Sequence, residues 1–392
     1  MSMKRSAGRI LTTHAGSLPR PPQIREDVTA SERQPTPADD NGLAQRVRSA
    51  VADAVRRQVA AGIDSVNDGE LGKSNFTWYA ASRLGGLEVR PRAAGAQPPG
   101  SEISGRDRHH FPGYFEDTTG FSARLGPPPA VVCVAPLTYA GQAALQADID
   151  SMRAALAAAP AEEAFLTAVA PGTMEHWLEN EHYPSQEAHL YAIAEAIGHE
   201  YRAITDAGFV LQVDDPDLFD AWQIHTGMTV AEYRGFAEVR VDALNHALRG
   251  VPPERVRLHA CWGSYHGPHT QDLPLDDVVD LMLRVHAGAF SVEASNPRHD
   301  HEWRVWEHVA LPEEKLLIPG VVGHASDIIE HPRLIADRLV RYAHLVGRER
   351  VLAGTDCGLG GRVGHEEIAW AKLDALVEGA RLASGELWGG GG

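Results

Sequence analysis

Cysteine is nearly absent: a chain of 392 residues contains three, Cys133, Cys261 and Cys357. So sparse and odd a set does not make a disulfide framework, and in a reducing compartment each is either a small buried hydrophobe or a chemical group. Basic residues are also short, 36 against 53 acidic ones, giving a formal charge of −17, and they form no patch or stripe. That balance disfavours nucleic acid and anionic membrane as partners. No apolar run nears the ~20 residues of a membrane helix. Lys4 and Arg5 are not followed by the hydrophobic stretch of a secretory leader, so a cytoplasmic protein is expected. The composition, 43% hydrophobic and 23% charged, is globular, and the length suits one large domain, so residues 1–392 are expected to form a single catalytic unit.

What is present is a repeated local pattern. A helix-like stretch ends in a small residue and Gly, and a short apolar strand starts at once. Val47, Val51, Val55 and Val59 form one helical stripe, Gly62 stands where a left-handed helix cap belongs, and Ile63–Val66 follows. The pattern returns at Gly208 before Phe209–Asp214, at Gly288 before Ala289–Glu293 and at Gly347 before Val351–Thr355. Such units build a parallel sheet. Further strands are predicted at Arg9–Thr13, Val131–Ala135, Ala164–Ala168, Val256–His259 and Leu316–Ile318. The nine candidates are one more than a (β/α)₈ TIM barrel needs. The Gly/Pro-rich stretch at about 86–140 carries no helical stripe and is expected to be an excursion, with Val131–Ala135 in a hairpin inside it. A doubly wound open sheet is disfavoured, because no Gly-rich phosphate loop follows the first strand.

Barrel enzymes place their chemistry at the C-terminal ends of the strands. Here those ends carry His14 and Ser17, then Asp68 and Glu70, Asp214 and Asp215, His259 and Cys261, Glu293, and Asp356 and Cys357. His259 and Cys261 are two apart, so an extended strand end points both the same way. With Cys357 and Glu293 they make a His, Cys, Cys, carboxylate set suited to tetrahedral Zn²⁺. The wide spacing fits a catalytic site assembled at a barrel mouth rather than a structural zinc. Cys133, among Val131, Val132 and Val134, is expected to be core packing.

These stretches, with Thr12–Arg20, Leu211–Pro216, Val292–Ser295 and Thr355–Leu359, resemble the C-terminal catalytic barrel of the cobalamin-independent methionine synthases and the short single-barrel proteins of that family. The resemblance implies one zinc on His259, Cys261, Glu293 and Cys357, with Glu293 the labile ligand. It also implies an amino-acid substrate held by Ser17, Glu70 and Asp214. Zinc lowers the pKa of an incoming thiol, so the expected partners are a small-molecule thiol and an electrophilic carbon donor. A hydrolase would more usually use neutral His ligands.

Two departures qualify the resemblance. Nothing corresponds to the N-terminal half of the full-length enzymes, and where those carry a histidine after the seventh strand this chain has Ala325, with His324 beside it as the catalytic candidate. The short homologues include epoxyalkane:coenzyme M transferase, in which a thiolate opens an epoxide, and they share Glu293–His299 and Gly358–Arg362. That reading needs a cation for a sulfonate, for which Arg298 and Arg362 are the candidates. His299 and His301 are expected in a solvated loop. A zinc-binding barrel without turnover is the alternative of another class, and a homo-oligomer stays open.

Overall fold

The computed structural model describes residues 2–22, 24–25, 27–28, 41–73, 75–92, 105–119 and 129–389. Its strands, in chain order, are β1 (Leu11–Thr12), β2 (Ser65–Val66), β3 (Leu84–Arg90), β4 (Ala130–Tyr139), β5 (Glu163–Val169), β6 (Glu179–Asn180), β7 (Val210–Asp214), β8 (Val256–Ala260), β9 (Ala289–Glu293), β10 (Leu316–Val322) and β11 (Leu352–Thr355). Eight of them run parallel in the order β1-β11-β10-β9-β8-β7-β5-β2, with helices between. This is the expected (β/α)₈ arrangement.

The two end strands of that order, β1 and β2, are only two residues each, too short to seal the ring by a backbone ladder. Asp64 completes it. Its N–H donates to Thr12 O (3.1 Å), and its carboxylate accepts from Thr12 N (2.9 Å) and from the Arg9 guanidinium (2.6 and 2.7 Å). Thr13 Oγ1 adds a bond to Ser65 O (3.0 Å). Side chains thus do the pairing that longer strands would do with their backbones.

The ninth candidate strand lies outside the barrel, as expected. β4 pairs antiparallel with β3 and parallel with β6 in a separate three-stranded sheet. Cys133 is buried there, opposite Leu87. The stretch between β3 and β4 carries no helical stripe in its sequence, yet its described residues include two short helices, Gly105–His110 and Pro112–Thr119. Tertiary partners rather than an apolar stripe hold the first. Arg106 lies 3.4 Å over the Trp222 ring and donates to the carbonyls of Trp222, His225 and Met228. The Gly/Pro-rich runs at 94–101 and 126–128, and the glycines at 390–392, lie outside the described residues.

Most of the core lies between the barrel and its helices, where Val51 and Val55 of the first stripe are buried. A smaller cluster fills the barrel's interior at the N-terminal ends of the strands: Met3, Leu11, Phe165, Val210, Ala289, Leu316, Ile318 and Leu352. That end is closed by apolar packing. Polar residues collect at the other. No described helix is long and apolar enough to cross a membrane.

Candidate metal centre and substrate cavity

A cavity of about 790 Å³ opens at the C-terminal ends of the strands. His259, Cys261 and Cys357 reach its wall, with their ligand atoms all within 4.8 Å of one another. Alternation along β8 aims the first two, and a close approach of β10 to β11 presents the third. A Cβ on Gly320 would lie 2.4 Å from the Cα of Asp356, so only glycine lets that turn sit so near. The donor chemistry fits zinc. His259 Nε2 is buried and has no hydrogen-bond partner among the described residues, while Nδ1 lies 3.2 Å from Ser291 Oγ. With the proton on Nδ1 and donated to Ser291, Nε2 keeps its lone pair beside the two sulfurs. The Cys261 thiol donates to Cys357, which holds the Cys357 pKa well below the ordinary thiol value and pushes that of Cys261 well above it. Ser264 Oγ donates to the same Cys357 sulfur (3.0 Å). A metal bound there would take the place of the thiol proton shared by the two sulfurs and would draw on the lone pair of His259 Nε2.

Glu293 stands apart from those three. Its oxygens accept from Trp262 N–H (3.0 Å) and from Asn296 Nδ2 (3.0 Å). Its carboxylate groups instead with His324 and Asp356, again with ligand atoms within 4.8 Å. Asp356 is saturated, accepting from Ala294 N, Ser295 N and Ser295 Oγ at 2.6–3.0 Å. His324 is 3% exposed, and neither ring nitrogen has a hydrogen-bond partner among the described residues. It does not line the cavity; it lies behind the metal centre, on the loop leaving β10.

Ser17, Glu70 and Asp214 all line the cavity. Ser17 is pinned to the loop after Cys357, its carbonyl accepting from Leu359 N (2.9 Å) and Gly360 N (3.1 Å). Glu70 has a φ of +56°, a left-handed conformation that costs a non-glycine residue about 1 kcal/mol or more. The turn is held by Asn67 Oδ1 on Gly69 N (2.8 Å) and Asp68 Oδ1 on Glu70 N (2.9 Å). Burial and the neighbouring Glu70 push Asp214 up to about 7, and burial raises Glu70 despite nearby Lys73. Two carboxylates that resist ionising together form a site for a cation. His14 does not reach this surface. It is buried and tied to Gln58 Oε1 (2.9 Å) and Gly16 N (3.2 Å).

The two arginine candidates separate. Arg362 lines the cavity, whereas Arg298 does not: its guanidinium holds the carbonyls of His269 (3.0 Å) and Thr270 (3.3 Å). Several cavity residues escaped the sequence reading, among them Lys73, His176, Trp177, Asp217, Asp220 and Tyr265. Asp217 and Asp220 follow the Asp214-Asp215-Pro216 turn at helical spacing, which could have marked them. Burial and Asp217 push Asp220 up to about 8.

The expected solvated loop at 298–302 is half wrong. His301 is exposed, but His299 is 3% exposed and bridges Asp272 (3.0 Å) and Glu302 (2.9 Å). Trp262, the residue after Cys261, stacks on its ring at 3.6 Å. Burial opposes the charge on His299, yet the two acids raise its pKa to about 9. A folded-state pKa above the unfolded value near 6.5 means stability fully present below pH ~6.5 and lost as pH climbs through about 9, worth about 3 kcal/mol. The stability gap between the parent chain and His299→Gln, read from denaturant unfolding, should therefore narrow by that amount from pH 6.5 to 10. A constant gap would show that the imidazole is not held charged.

Comparison with known proteins identifies the family and the fold. Residues 130–382, more than half of the chain, match the family model described as cobalamin-independent synthase, catalytic domain. The methionine synthase of Sulfolobus acidocaldarius is 25% identical over 379 residues, covering 96% of this chain and 93% of that protein. That of Thermococcus kodakarensis is 23% identical over 377 residues, covering 96% and 94%. Among solved structures, a B12-independent methionine synthase from Shewanella sp. W3-18-1 in complex with selenomethionine superposes with a TM-score of 0.73 at 21% identity, covering 97% of this chain and 99% of that one.

Proposed function

This chain belongs to the cobalamin-independent synthase catalytic-domain family, and on that premise we propose that it is a zinc-dependent methyltransferase acting on the thiol of homocysteine or a close amino-acid analogue. The observation that carries the reading is the meeting of His259, Cys261 and Cys357 at the wall of a cavity that also presents Glu70 and Asp214. In this reading His259, Cys261 and Cys357 would hold the metal, with Glu293 as a fourth, displaceable ligand. Its bonds to Trp262 N–H and Asn296 Nδ2 would hold the Glu293 carboxylate when it is not a ligand. When bound, zinc lowers the pKa of the thiol so that it is a nucleophile near neutral pH.

The protein's own groups do the rest. Glu70 and Asp214 take the ammonium, and the Ser17 backbone faces the carboxylate, which fixes the sulfur relative to the donor. The S–C bond forms as the bond from methyl to its donor breaks, and the leaving group takes up from solvent a proton equivalent to the one the thiol gave up. His324, unpartnered between two carboxylates, is placed to exchange a proton with Glu293 as that side chain moves. For the epoxide-opening alternative Arg362 lines the cavity but Arg298 is committed to backbone carbonyls, and the methionine synthases among the relatives favour the methyltransferase.

Titration of the cobalt-substituted chain with homocysteine and with coenzyme M tests the reading. A new thiolate-to-cobalt absorption band with homocysteine alone is the expected result. No band with either thiol would sink the methyltransferase, and a response to coenzyme M alone would favour epoxide opening.

A further inference from the structure

Beneath the cavity, the barrel interior holds a cation that the chemistry above does not use. Arg257 lies on β8, two residues before His259 on the same inward face, and is 2% exposed. Among the described residues it makes no ion pair. Its Nε donates to Gln212 Oε1 (2.7 Å), and its two terminal nitrogens donate to Thr13 Oγ1 (2.9 Å) and His14 O (2.8 Å). Its guanidinium carbon sits 3.4 Å from the centre of the Phe165 ring. The carboxylates of Glu163 and Asp214 act on its charge only from a distance, and an arginine without a direct carboxylate contact in a protein core is costly.

Gln212 supplies the link to the cavity. Its amide nitrogen donates to Asp214 Oδ1 (2.6 Å) and to Ala15 O (2.7 Å). A primary amide can be turned end for end, and many such groups are held by weak preferences. Here the orientation is dictated by chemistry. Arginine is a donor only, so the side of Gln212 facing it must be the oxygen, and the NH₂ must face Asp214 and the Ala15 carbonyl. Two strands and a loop are thereby locked together under the substrate pocket: β8 through Arg257, β7 through Gln212 and Asp214, and the loop after β1 through His14 and Ala15. One oxygen of Asp214 is engaged from below, which fixes the plane of the carboxylate and leaves the other oxygen for a ligand.

We infer that Arg257 and Gln212 are positioning residues for amine recognition, a buried relay that sets the Asp214 carboxylate to receive the ammonium of the amino-acid thiol. This rests on the reading of Glu70 and Asp214 as the amine pocket. Neither relay residue touches the ligand. Their effect is on the direction in which Asp214 points and on the charge beneath it, so they act on amine-bearing ligands and not on the sulfur.

Calorimetric titration of the zinc-loaded chain with methionine and with 4-(methylthio)butanoate, the same molecule without its amino group, separates the possibilities. Gln212→Met removes the amide while keeping the side chain's length, and Arg257→Lys keeps the charge but not the fork; melting temperature and zinc content report whether each is folded. The expected result is that the parent chain prefers methionine on the order of 10- to 100-fold. In either folded variant that preference collapses towards unity through weaker methionine binding, with the butanoate affinity unchanged. A parent preference that survives or grows in both variants overturns the relay and leaves the amine pocket standing. No preference in the parent chain overturns the amine pocket, and the relay with it.

Discussion

Replacing Cys261 or Cys357 with serine is expected to strip the metal from the chain. A serine hydroxyl stays protonated at neutral pH and is a poor replacement for a thiolate ligand, and each change leaves two of the three converged ligands. The affinity loss should exceed the ~10- to 100-fold that outer-shell replacements cost. Metal analysis of chain purified from zinc-supplemented cells should find zinc close to stoichiometric in the parent and near zero in both variants, with methyl transfer lost in parallel. Cys133→Ser, buried in β4 away from the cavity, is the control and should keep its metal. Full zinc retention in either of the first two variants would show that the ligands are other residues.

The second large effect is expected at the carboxylate pair. Removing one partner of a buried charge interaction costs about 2–5 kcal/mol, so Asp214→Asn combined with Glu70→Gln should raise the KM for homocysteine by roughly 10²-fold or more. Both replacements keep the shape and one acceptor oxygen, enough for the Gln212 donor to position 214 and the Thr167 hydroxyl to position 70. Zinc content should be unchanged, since neither carboxylate belongs to the ligand set. Steady-state kinetics with a thiol that lacks the amino group provides the contrast, because its KM should stay within a few-fold of the parent value. An equal rise for both thiols would mean that the pair supports the cavity wall and does not read the amine.

Much of this was legible in the residues, for physical reasons that can be named. Four of the barrel strands announce themselves as short apolar runs that follow Gly62, Gly208, Gly288 and Gly347, the other four as apolar runs alone, and the ninth candidate is set aside by the Gly/Pro-rich stretch around it. His259 and Cys261 were visible as a pair because strand alternation is local. What escaped depends on partners far away in sequence. Nothing near His299 says that Asp272 will meet it, so an Arg-His-Asp-His-Glu run looked solvated where one histidine is a buried ion-pair centre. Arg298 looked available for an anion until the carbonyls of His269 and Thr270 took it. The posture of Glu293 follows from Trp262 and Asn296, which strand parity alone does not specify. Arg257 was within reach: it shares the inward parity of His259, and a charged residue at an inward position of a barrel strand calls for a partner.

The seam of the barrel also has a consequence in time. Leu11 and Thr12 find their ladder partners at Leu352 and Ala353, almost the whole chain away, and their other neighbour is joined through Asp64. At synthesis rates of roughly 5–20 residues per second, β1 waits on the order of tens of seconds before β11 leaves the ribosome. Through that interval the nascent barrel is an open arc, with one bare strand edge on β1 and another on whichever strand was made last. Such edges template pairing with other chains. The ring cannot finish early, because its last contact is also its longest loop closure. Yield of folded chain at high expression, and dependence on a chaperone that shelters the arc, are therefore set less by the stability of the finished barrel than by how late its ends can meet.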